Sequence, residues 1–149
     1  TQIKAYVNRG IIFTRMREME KAESDFAHAI RLDSNFAETY KNLGILHSTL
    51  GKYEKSISDY TNYLRILPVS PDIYYGRGMT YYQLKRFTEA TEDFSKAISY
   101  DSLNANYWVL KAMALHADGK KEEAIPIALK AQELGEVLDP SFKSNLGLK

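Results

Sequence analysis

Apolar residues recur along this chain every three or four positions, with polar residues between them. The clearest stretch contains Ile73, Tyr74, Gly78, Tyr81 and Tyr82, followed by Phe87, Ala90, Phe94, Ala97 and Ile98. This spacing matches the 3.6-residue period of an α-helix that has one apolar stripe. The alternation typical of β-strands is absent from the sequence. The pattern therefore predicts an all-α protein made of short amphipathic helices.

The same pattern repeats every 34 residues. Each repeat has an aromatic residue, a small residue four positions later, and a second small residue twelve positions beyond that. The aromatic residues are Tyr6, Tyr40, Tyr74 and Trp108; the small residues are Gly10, Gly44, Gly78 and Ala112, then Ala22, Ser56, Ala90 and Ala124. A fixed period of this length indicates stacked copies of one helical hairpin. The predicted units are 3–36, 37–70, 71–104 and 105–138, followed by a segment 139–149.

These residues resemble the tetratricopeptide repeat family, whose units carry an aromatic residue, a Gly or Ala and a later Ala or Ser at this spacing. The resemblance covers residues 3–138. It implies a single domain over 1–149, a right-handed α-solenoid of helix-turn-helix units. Unit four departs from the family pattern because Ala112 replaces the glycine, Ala128 replaces an aromatic residue and Pro126 lies inside its second helix.

Turn and capping residues support these boundaries. Gly51 and Gly119 are expected at the turns inside units two and four, because glycine readily adopts a left-handed conformation. Ser70-Pro71 and Asp139-Pro140 are each expected to begin a helix, with a capping side chain before the proline. Asn35 and Glu38 resemble a capping box.

The segment 139–149 has two interpretations. Phe142 and Leu146 are four residues apart, which favours a short capping helix that covers unit four. The alternative is the beginning of a fifth unit that the chain does not complete.

Composition excludes several classes of function. Twenty Lys and Arg residues balance nineteen acidic residues, so the electrostatic basis for nucleic-acid binding is missing. No apolar run reaches the roughly 20 residues of a membrane helix, and membrane insertion is not expected. The chain has no cysteine and no visible targeting signal, so we take the cytoplasm only as a default.

The sequence offers no catalytic constellation and no set of metal ligands, so we expect neither enzymatic activity nor a cofactor. His28, His47 and His116 occupy different positions in their units. His47 takes the place of an aromatic or leucine residue in other units and is predicted to be a packing residue.

Two units share a pair of opposite charges sixteen residues apart, Arg9 with Asp25 and Arg77 with Asp93. We interpret each as a salt bridge between the two helices of a hairpin. Unit two keeps Asp59 but has Leu43 in place of the arginine.

The family resemblance implies that the first helices of the units line a groove that binds a partner. Carried onto this chain, the predicted groove residues are Lys4, Ile11, Arg15, Lys41, Asn42, Ile45, Tyr75, Met79, Tyr82, Met113 and His116. Ile11, Ile45, Met79 and Met113 are expected to form an apolar row. These four side chains could instead pack together as the floor of the groove.

The family's carboxylate clamp for chaperone C-termini is not expected here. Only Asn42 matches the residues of that clamp, and Val7, Ile11, Asp72 and Gly76 occupy the other clamp positions. The basic residues of the first half instead favour a partner segment with an acidic end and an apolar middle.

We therefore interpret the chain as a non-catalytic protein-interaction module that grips a partner peptide or helix. One alternative is a homo-oligomerisation module. Another is an accessory domain excised from a larger protein, which the start at Thr1 without a methionine suggests.

Overall fold

The computed structural model describes residues 1–148, and Lys149, the last residue of the predicted capping segment, lies outside the described residues. The chain has two compact units, each with two of the four 34-residue repeats: unit 1 is Thr1–Val69, and unit 2 begins at Ser70. Over the described range every regular element is helical, and none of these helices is both long enough and apolar enough to cross a membrane.

Unit 1 contains four helices, α1 (Gln2–Arg15), α2 (Met19–Leu32), α3 (Ala37–Thr49) and α4 (Tyr53–Ile66). Each of the two predicted repeats forms a helical hairpin, α1 with α2 and α3 with α4. A buried cluster joins α1, α2 and α3 and consists of Val7, Ala22, Phe26, Ala29, Leu43 and Leu46.

Unit 2 contains α5 (Pro71–Gln83), α6 (Phe87–Tyr100), α7 (Ala105–Ala117), α8 (Lys121–Glu133) and α9 (Pro140–Leu146). The helices α5 and α6 form one hairpin, and α7 and α8 form the other. The helix α6 also packs on α7, with Ala90 and Phe94 against Ala114.

In the first three hairpins the second helix approaches the first helix at a glycine. In unit 1 the ring of Phe26 lies over Gly10, and a Cβ atom added to Gly10 would be 2.6 Å from the Cε1 atom of that ring. Gly44 and Tyr60 make the same approach at 2.6 Å. Side chains at these positions are excluded because contacts this short are not tolerated in packed proteins. The fourth hairpin has Ala112 and Ala128 at the corresponding positions, so a methyl group faces a smaller partner.

The turn inside every hairpin has a left-handed residue at the same repeat position. Gly51 and Gly119 adopt φ angles of 69° and 77°, as the sequence predicts. Arg17 and Lys85 occupy the equivalent positions with φ angles of 61° and 59°, although they carry side chains. At Arg17 and Lys85 the hairpin therefore holds a residue in a backbone conformation that its side chain disfavours.

The helix α9 covers the last hairpin. Leu146 and Leu138 belong to a buried cluster with Ala124, Ala128 and Ala131, and Phe142 packs against it. Asp139 begins the helix by accepting hydrogen bonds from the backbone N–H groups of Ser141 and Phe142. Of the two interpretations of this segment, the structure of its described residues supports the capping helix.

Candidate partner-binding surfaces

The predicted groove residues of unit 1 lie on α1 and α3 and remain accessible. This unit 1 set consists of Lys4, Ile11, Arg15, Lys41, Asn42 and Ile45. Ile45 is 43% exposed, and Ile11 is half-buried against the cluster that joins α1, α2 and α3. None of the six side chains is buried, which distinguishes them from the core residues of the same helices.

The charges of the unit 1 set are basic. Lys4 and Arg15 are exposed and make no ion pair with any residue among positions 1–148. Asn42 donates its side-chain N–H to the backbone carbonyl of Glu38, 2.7 Å away on the same helix. Lys4 and Arg15 are thus available to an acidic ligand, whereas Asn42 is already engaged.

The predicted groove residues of unit 2 form a second surface, the unit 2 set, made of Tyr75, Met79, Tyr82, Met113 and His116. All five are partly exposed. Tyr75, Met79 and Tyr82 follow one another on α5 and pack against the buried cluster of Ala90, Phe94 and Ala114. The structure therefore brings these three together as half-buried side chains on one helix.

Neighbouring rings hold the two tyrosines of this set. The ring centroid of Tyr75 lies 5.7 Å from that of Tyr107, and the centroid of Tyr82 lies 5.3 Å from that of Phe87 in an edge-on arrangement. Aromatic pairs at such distances stabilise a defined orientation. These tyrosines present a pre-ordered apolar surface.

His116 also contacts the capping helix, because its ring meets Phe142 edge-on at a centroid distance of 5.8 Å. Part of the His116 surface is therefore occupied by α9. The family pattern that placed His116 in a groove contains no information about a helix beyond the fourth repeat.

The two predicted salt bridges are confirmed. Arg9 donates to both carboxylate oxygens of Asp25 at 2.7 and 2.8 Å, and Arg77 makes the same two bonds to Asp93, both at 2.8 Å. Asp93 is buried, and burial raises the pKa of its carboxyl group, while the hydrogen bonds from Arg77 oppose that rise. These arginines are occupied by internal partners, so they are not assigned to ligand binding.

His47 is buried, as predicted, but it does more than pack. Its Nδ1 atom lies 2.6 Å from Oδ2 of Asp59, and its Nε2 atom lies 3.2 Å from Oε1 of Glu23. Both ring nitrogens are therefore within hydrogen-bonding distance of a carboxylate oxygen. His47 thus links α2, α3 and α4. It is the partner of Asp59 in the second hairpin, where Leu43 replaces the arginine.

The pKa values of the two carboxyl groups around His47 are shifted in opposite directions. The hydrogen bond from His47 lowers the pKa of Glu23, with a further contribution from Lys52. Burial raises the pKa of Asp59, and the His47 hydrogen bond only partly offsets this effect. One signal in the sequence could have revealed this network: the second repeat keeps Asp59 but has no arginine at the position that pairs with it in repeats one and three.

Unit 2 also has an open groove that the sequence reasoning missed. Its volume is about 760 Å³, and its lining includes Tyr74, Arg77, Lys111, Leu115 and Ile127. Lys111 occupies the repeat position of Arg77, and Ile127 occupies that of Asp93, so the carboxylate partner is absent from this hairpin. None of the predicted groove residues lines it.

No cluster of His, Cys, Asp and Glu side chains in the described part of the chain has the geometry to hold a metal ion.

Comparisons with known proteins agree with this geometry. Two sequence profiles, both described as tetratricopeptide repeat, match residues 71–102 and residues 3–36, 37–68 and 105–134. The chain therefore belongs to the tetratricopeptide repeat family, which is generally a non-catalytic protein-interaction fold. A search of curated proteins finds no significant match.

Solved structures share the fold. A double mutant of MamA (RS-1) superposes with a TM-score of 0.86 at 21% identity, covering 99% of this chain and 82% of its own. Another MamA crystal structure gives a TM-score of 0.84 at 21% identity, covering 89% and 77%. YrrB, described as a TPR protein with an unusual peptide-binding site, gives 0.82 at 21% identity, covering 95% and 73%. The predicted all-α solenoid fold is confirmed, and the chain is a protein-interaction module.

Proposed function

We propose that the chain binds a segment of a partner protein through the exposed side chains of its first helices, which are the unit 1 set and the unit 2 set. The main observation behind this proposal concerns Tyr75, Met79 and Tyr82. Their side chains pack against the buried cluster beneath them and yet remain partly exposed. Ordered apolar side chains bind at a low entropic cost, because little rotamer freedom is left to lose.

The chemistry of the two sets suggests the kind of segment. Tyrosine and methionine offer large and adaptable apolar contact areas. Lys4 and Arg15 add unpaired positive charge on α1. The unit 2 set thus suits apolar side chains of a partner, and Lys4 and Arg15 of the unit 1 set suit acidic ones. The description of YrrB as a peptide-binding TPR protein is consistent with this class of ligand.

Photo-crosslinking tests the proposal directly. A benzoylphenylalanine placed at position 79 should capture a defined protein from the source cell, because Met79 lies on the proposed surface. The matched control is position 129, because Leu129 is also an apolar residue with an exposed side chain on a helix of unit 2. Capture of the same protein from both positions would contradict the proposal.

A substitution experiment provides the second measurement. The triple variant Tyr75→Ala, Met79→Ala, Tyr82→Ala should lose the captured partner, while Leu103→Ala, Leu129→Ala, Val137→Ala, which removes three exposed apolar side chains of the same unit, should retain it. Circular dichroism must show unchanged helicity for both variants. Equal retention by the two variants would reject this surface as the binding site.

A further inference from the structure

The open groove of unit 2 lies between the two hairpins of that unit. Its lining comes mainly from α6, with Lys111 and Leu115 of α7 and Glu123 and Ile127 of α8. Its volume of about 760 Å³ lies within the range of about 300–1,000 Å³ that is typical of ligand sites. None of the residues of the unit 2 set lines it, so it is separate from the surface proposed above. This groove is called the α6–α8 groove below.

Unit 1 has a network of polar side chains at the equivalent positions between its hairpins. Its His47 lies within hydrogen-bonding distance of Glu23 and Asp59, so each of these carboxylates has a partner. In unit 2 the same three repeat positions are held by Thr91, Leu115 and Ile127. All three line the α6–α8 groove, and none of them is charged. Unit 2 therefore lacks a carboxylate at both of the positions where unit 1 has one.

Unit 2 instead has a cation in this groove. Lys111 lies at the repeat position of Arg9 and Arg77, which each pair with an aspartate. The position of that aspartate is occupied by Ile127 in the fourth hairpin. The side chain of Lys111 is half-buried and makes no ion pair with any residue among positions 1–148. An anionic ligand would therefore supply a pairing that the described part of the chain leaves unmade.

A second polar group of the groove is also unsatisfied. The Oγ1 atom of Thr91 is buried and has no hydrogen-bond partner among the described residues. Buried polar atoms are nearly always hydrogen-bonded in proteins, and Glu23, at the same repeat position in unit 1, is paired. The α6–α8 groove thus contains polar groups without partners on α6 as well as on α7.

The other charged side chains of the groove do not take the place of a ligand. Asp93 is buried and accepts both hydrogen bonds of Arg77. Three further charged side chains of the lining are exposed, namely Glu92, Lys96 and Glu123. Because water screens exposed charges, the two glutamates oppose an acidic ligand only weakly.

We propose that the α6–α8 groove binds an acidic side chain of a partner protein. Its carboxylate pairs with Lys111, as Asp93 pairs with Arg77 in the preceding hairpin. Apolar residues beside it in the partner contact Leu115 and Ile127, which line the same groove. The partner's carboxylate and apolar side chains match this site in charge and in polarity. This proposal does not depend on the surface formed by the unit 1 set and the unit 2 set.

A short acidic peptide is a suitable probe. Acetyl-Leu-Glu-Leu-amide carries one carboxylate between two apolar side chains, and its matched control has glutamine in place of glutamate. Binding is weak because few contacts offset the lost freedom of so small a ligand, so NMR of the isotope-labelled full chain is the measurement. We expect saturable shifts at the amides around Lys111, Leu115 and Ile127.

The glutamine peptide should bind at least about tenfold more weakly, the loss expected when a charge-assisted hydrogen bond is removed. Equal affinity of the two peptides, or no saturable shift with the glutamate peptide, would overturn the proposal.

Two lysine variants locate the carboxylate. Lys111→Met should weaken the glutamate peptide at least about tenfold, for the same reason. Lys96→Met removes the exposed lysine of the same lining, and it should change the affinity by less than about threefold because that charge is screened. An equal loss from both variants would show that the affinity depends on the overall charge of the groove, and it would overturn Lys111 as the partner of the carboxylate.

A carboxylate supplied by the chain itself should compete with the ligand. Ile127→Asp places one at the repeat position where Asp93 pairs with Arg77. Ile127→Asn is the matched control, because it has the same size and loses the same apolar contact without a charge. The glutamate peptide should bind to Ile127→Asp at least about tenfold more weakly than to Ile127→Asn. Equal affinities for the two variants would overturn the pairing with Lys111.

Acetate tests whether the ligand is a protein segment or a small carboxylate. It should bind at least about tenfold more weakly than the glutamate peptide, because it lacks the apolar groups that the peptide buries. If acetate bound as tightly as the peptide, the groove would be a site for small carboxylates, and the partner segment would be overturned.

Discussion

The two Arg–Asp pairs have the same hydrogen bonds but different surroundings. Asp25 and Asp93 are both buried, whereas the side chain of Arg9 is far more exposed than that of Arg77. Removing an arginine leaves its aspartate without a charged partner, and the cost depends on how easily water can reach that aspartate.

We therefore expect Arg77→Met to lower the free energy of unfolding by about 2 kcal/mol, the order of the cost of leaving a buried acceptor without its hydrogen-bond partner. Arg9→Met should cost less, because solvent can replace the guanidinium group at that open site. Urea denaturation of the two variants and the wild type measures the difference. A larger loss for Arg9→Met would contradict this interpretation.

The Glu23–His47 hydrogen bond predicts a dependence of stability on acid. Hydrogen bonding lowers the folded-state pKa of Glu23 below its ordinary value of 4.5. A carboxyl group with a depressed pKa contributes stability that is present above pH 4.5 and is lost as the pH falls through the folded-state value.

The variant Glu23→Gln cannot ionise and should remove this contribution. The stability difference between wild type and Glu23→Gln should have its full size above pH 4.5 and should shrink as the pH falls below it. Glu20→Gln, at an exposed acidic residue of the same helix, serves as the control. A difference that does not change with pH would exclude the hydrogen bond as its source.

Residue identity alone predicted the pairs Arg9–Asp25 and Arg77–Asp93 because both members recur at a fixed separation. It did not predict the partners of His47. These come from α2 and α4, twenty-four and twelve residues away. Asp59 recurs at the position of Asp25 and Asp93, but nothing in the repeat pattern connects it or Glu23 with His47. His47 stands at the repeat position of Phe13, so its position in the pattern indicates burial but not which residues it hydrogen-bonds.

At the scale of the elements, the close approach of the helices at Gly10 depends on the ring of Phe26. We expect Gly10→Ala to cost about 1–3 kcal/mol of stability, because the new methyl group would overlap that ring. In a Phe26→Ala background the same change should cost close to nothing. The double variant would then resemble the fourth hairpin, where Ala112 faces Ala128.

Thermal or urea unfolding of the four members of this cycle measures the coupling. The coupling free energy should be of the same size as the single Gly10→Ala effect. Additive effects of the two substitutions would show that the ring is not the obstacle.

In the turns between paired helices, introducing a glycine is expected to stabilise the chain. Arg17 has a φ angle of 61°, and a left-handed conformation costs a non-glycine residue about 1 kcal/mol. We expect Arg17→Gly to stabilise the chain by up to about 1 kcal/mol and Gly51→Ala, at the equivalent turn, to destabilise it similarly. Both are measured by denaturation, and destabilisation by Arg17→Gly would contradict the strain argument.

Helix boundaries were predicted with mixed success. The prolines after Ser70 and Asp139 begin helices as expected, and Asp139 caps its helix. The predicted side-chain cap at Ser70 is wrong, because α5 begins after Ser70 without one. The predicted capping box of Asn35 and Glu38 is wrong. The helix α3 begins at Ala37 after Phe36 and has no side-chain cap, and the backbone N–H of Asn35 instead donates to Asp33. Here packing of Phe36 against the core outweighs the local capping signal.

On the scale of the whole chain, the capping helix α9 closes the apolar face of the last hairpin. Leu146 is almost completely buried in the cluster with Ala124, Ala128 and Ala131. We expect Leu146→Ala to lower the free energy of unfolding by about 2 kcal/mol, the lower range for a buried leucine. Ser144→Ala, at an exposed position of the same helix, should change it little.

Thermal unfolding followed by circular dichroism at one concentration measures both variants. Equal effects of the two substitutions would mean that α9 does not contribute to the stability of the hairpin. The sequence of residues 139–149 favours a capping helix but leaves an incomplete repeat as an alternative, because two apolar residues four positions apart occur in both.

The sequence by itself determined the all-α class, the four hairpins and the two Arg–Asp pairs within them. These features follow from spacing along the chain, which sets the face of a helix on which each side chain lies. Only the tertiary structure decided which of these faces are covered. Ile12 and Leu46 occupy the same repeat position, yet one is exposed and the other buried. The ring of His116 meets the ring of Phe142 from another helix edge-on. Burial depends on the neighbouring helix, and the local pattern of a helix does not specify its neighbour.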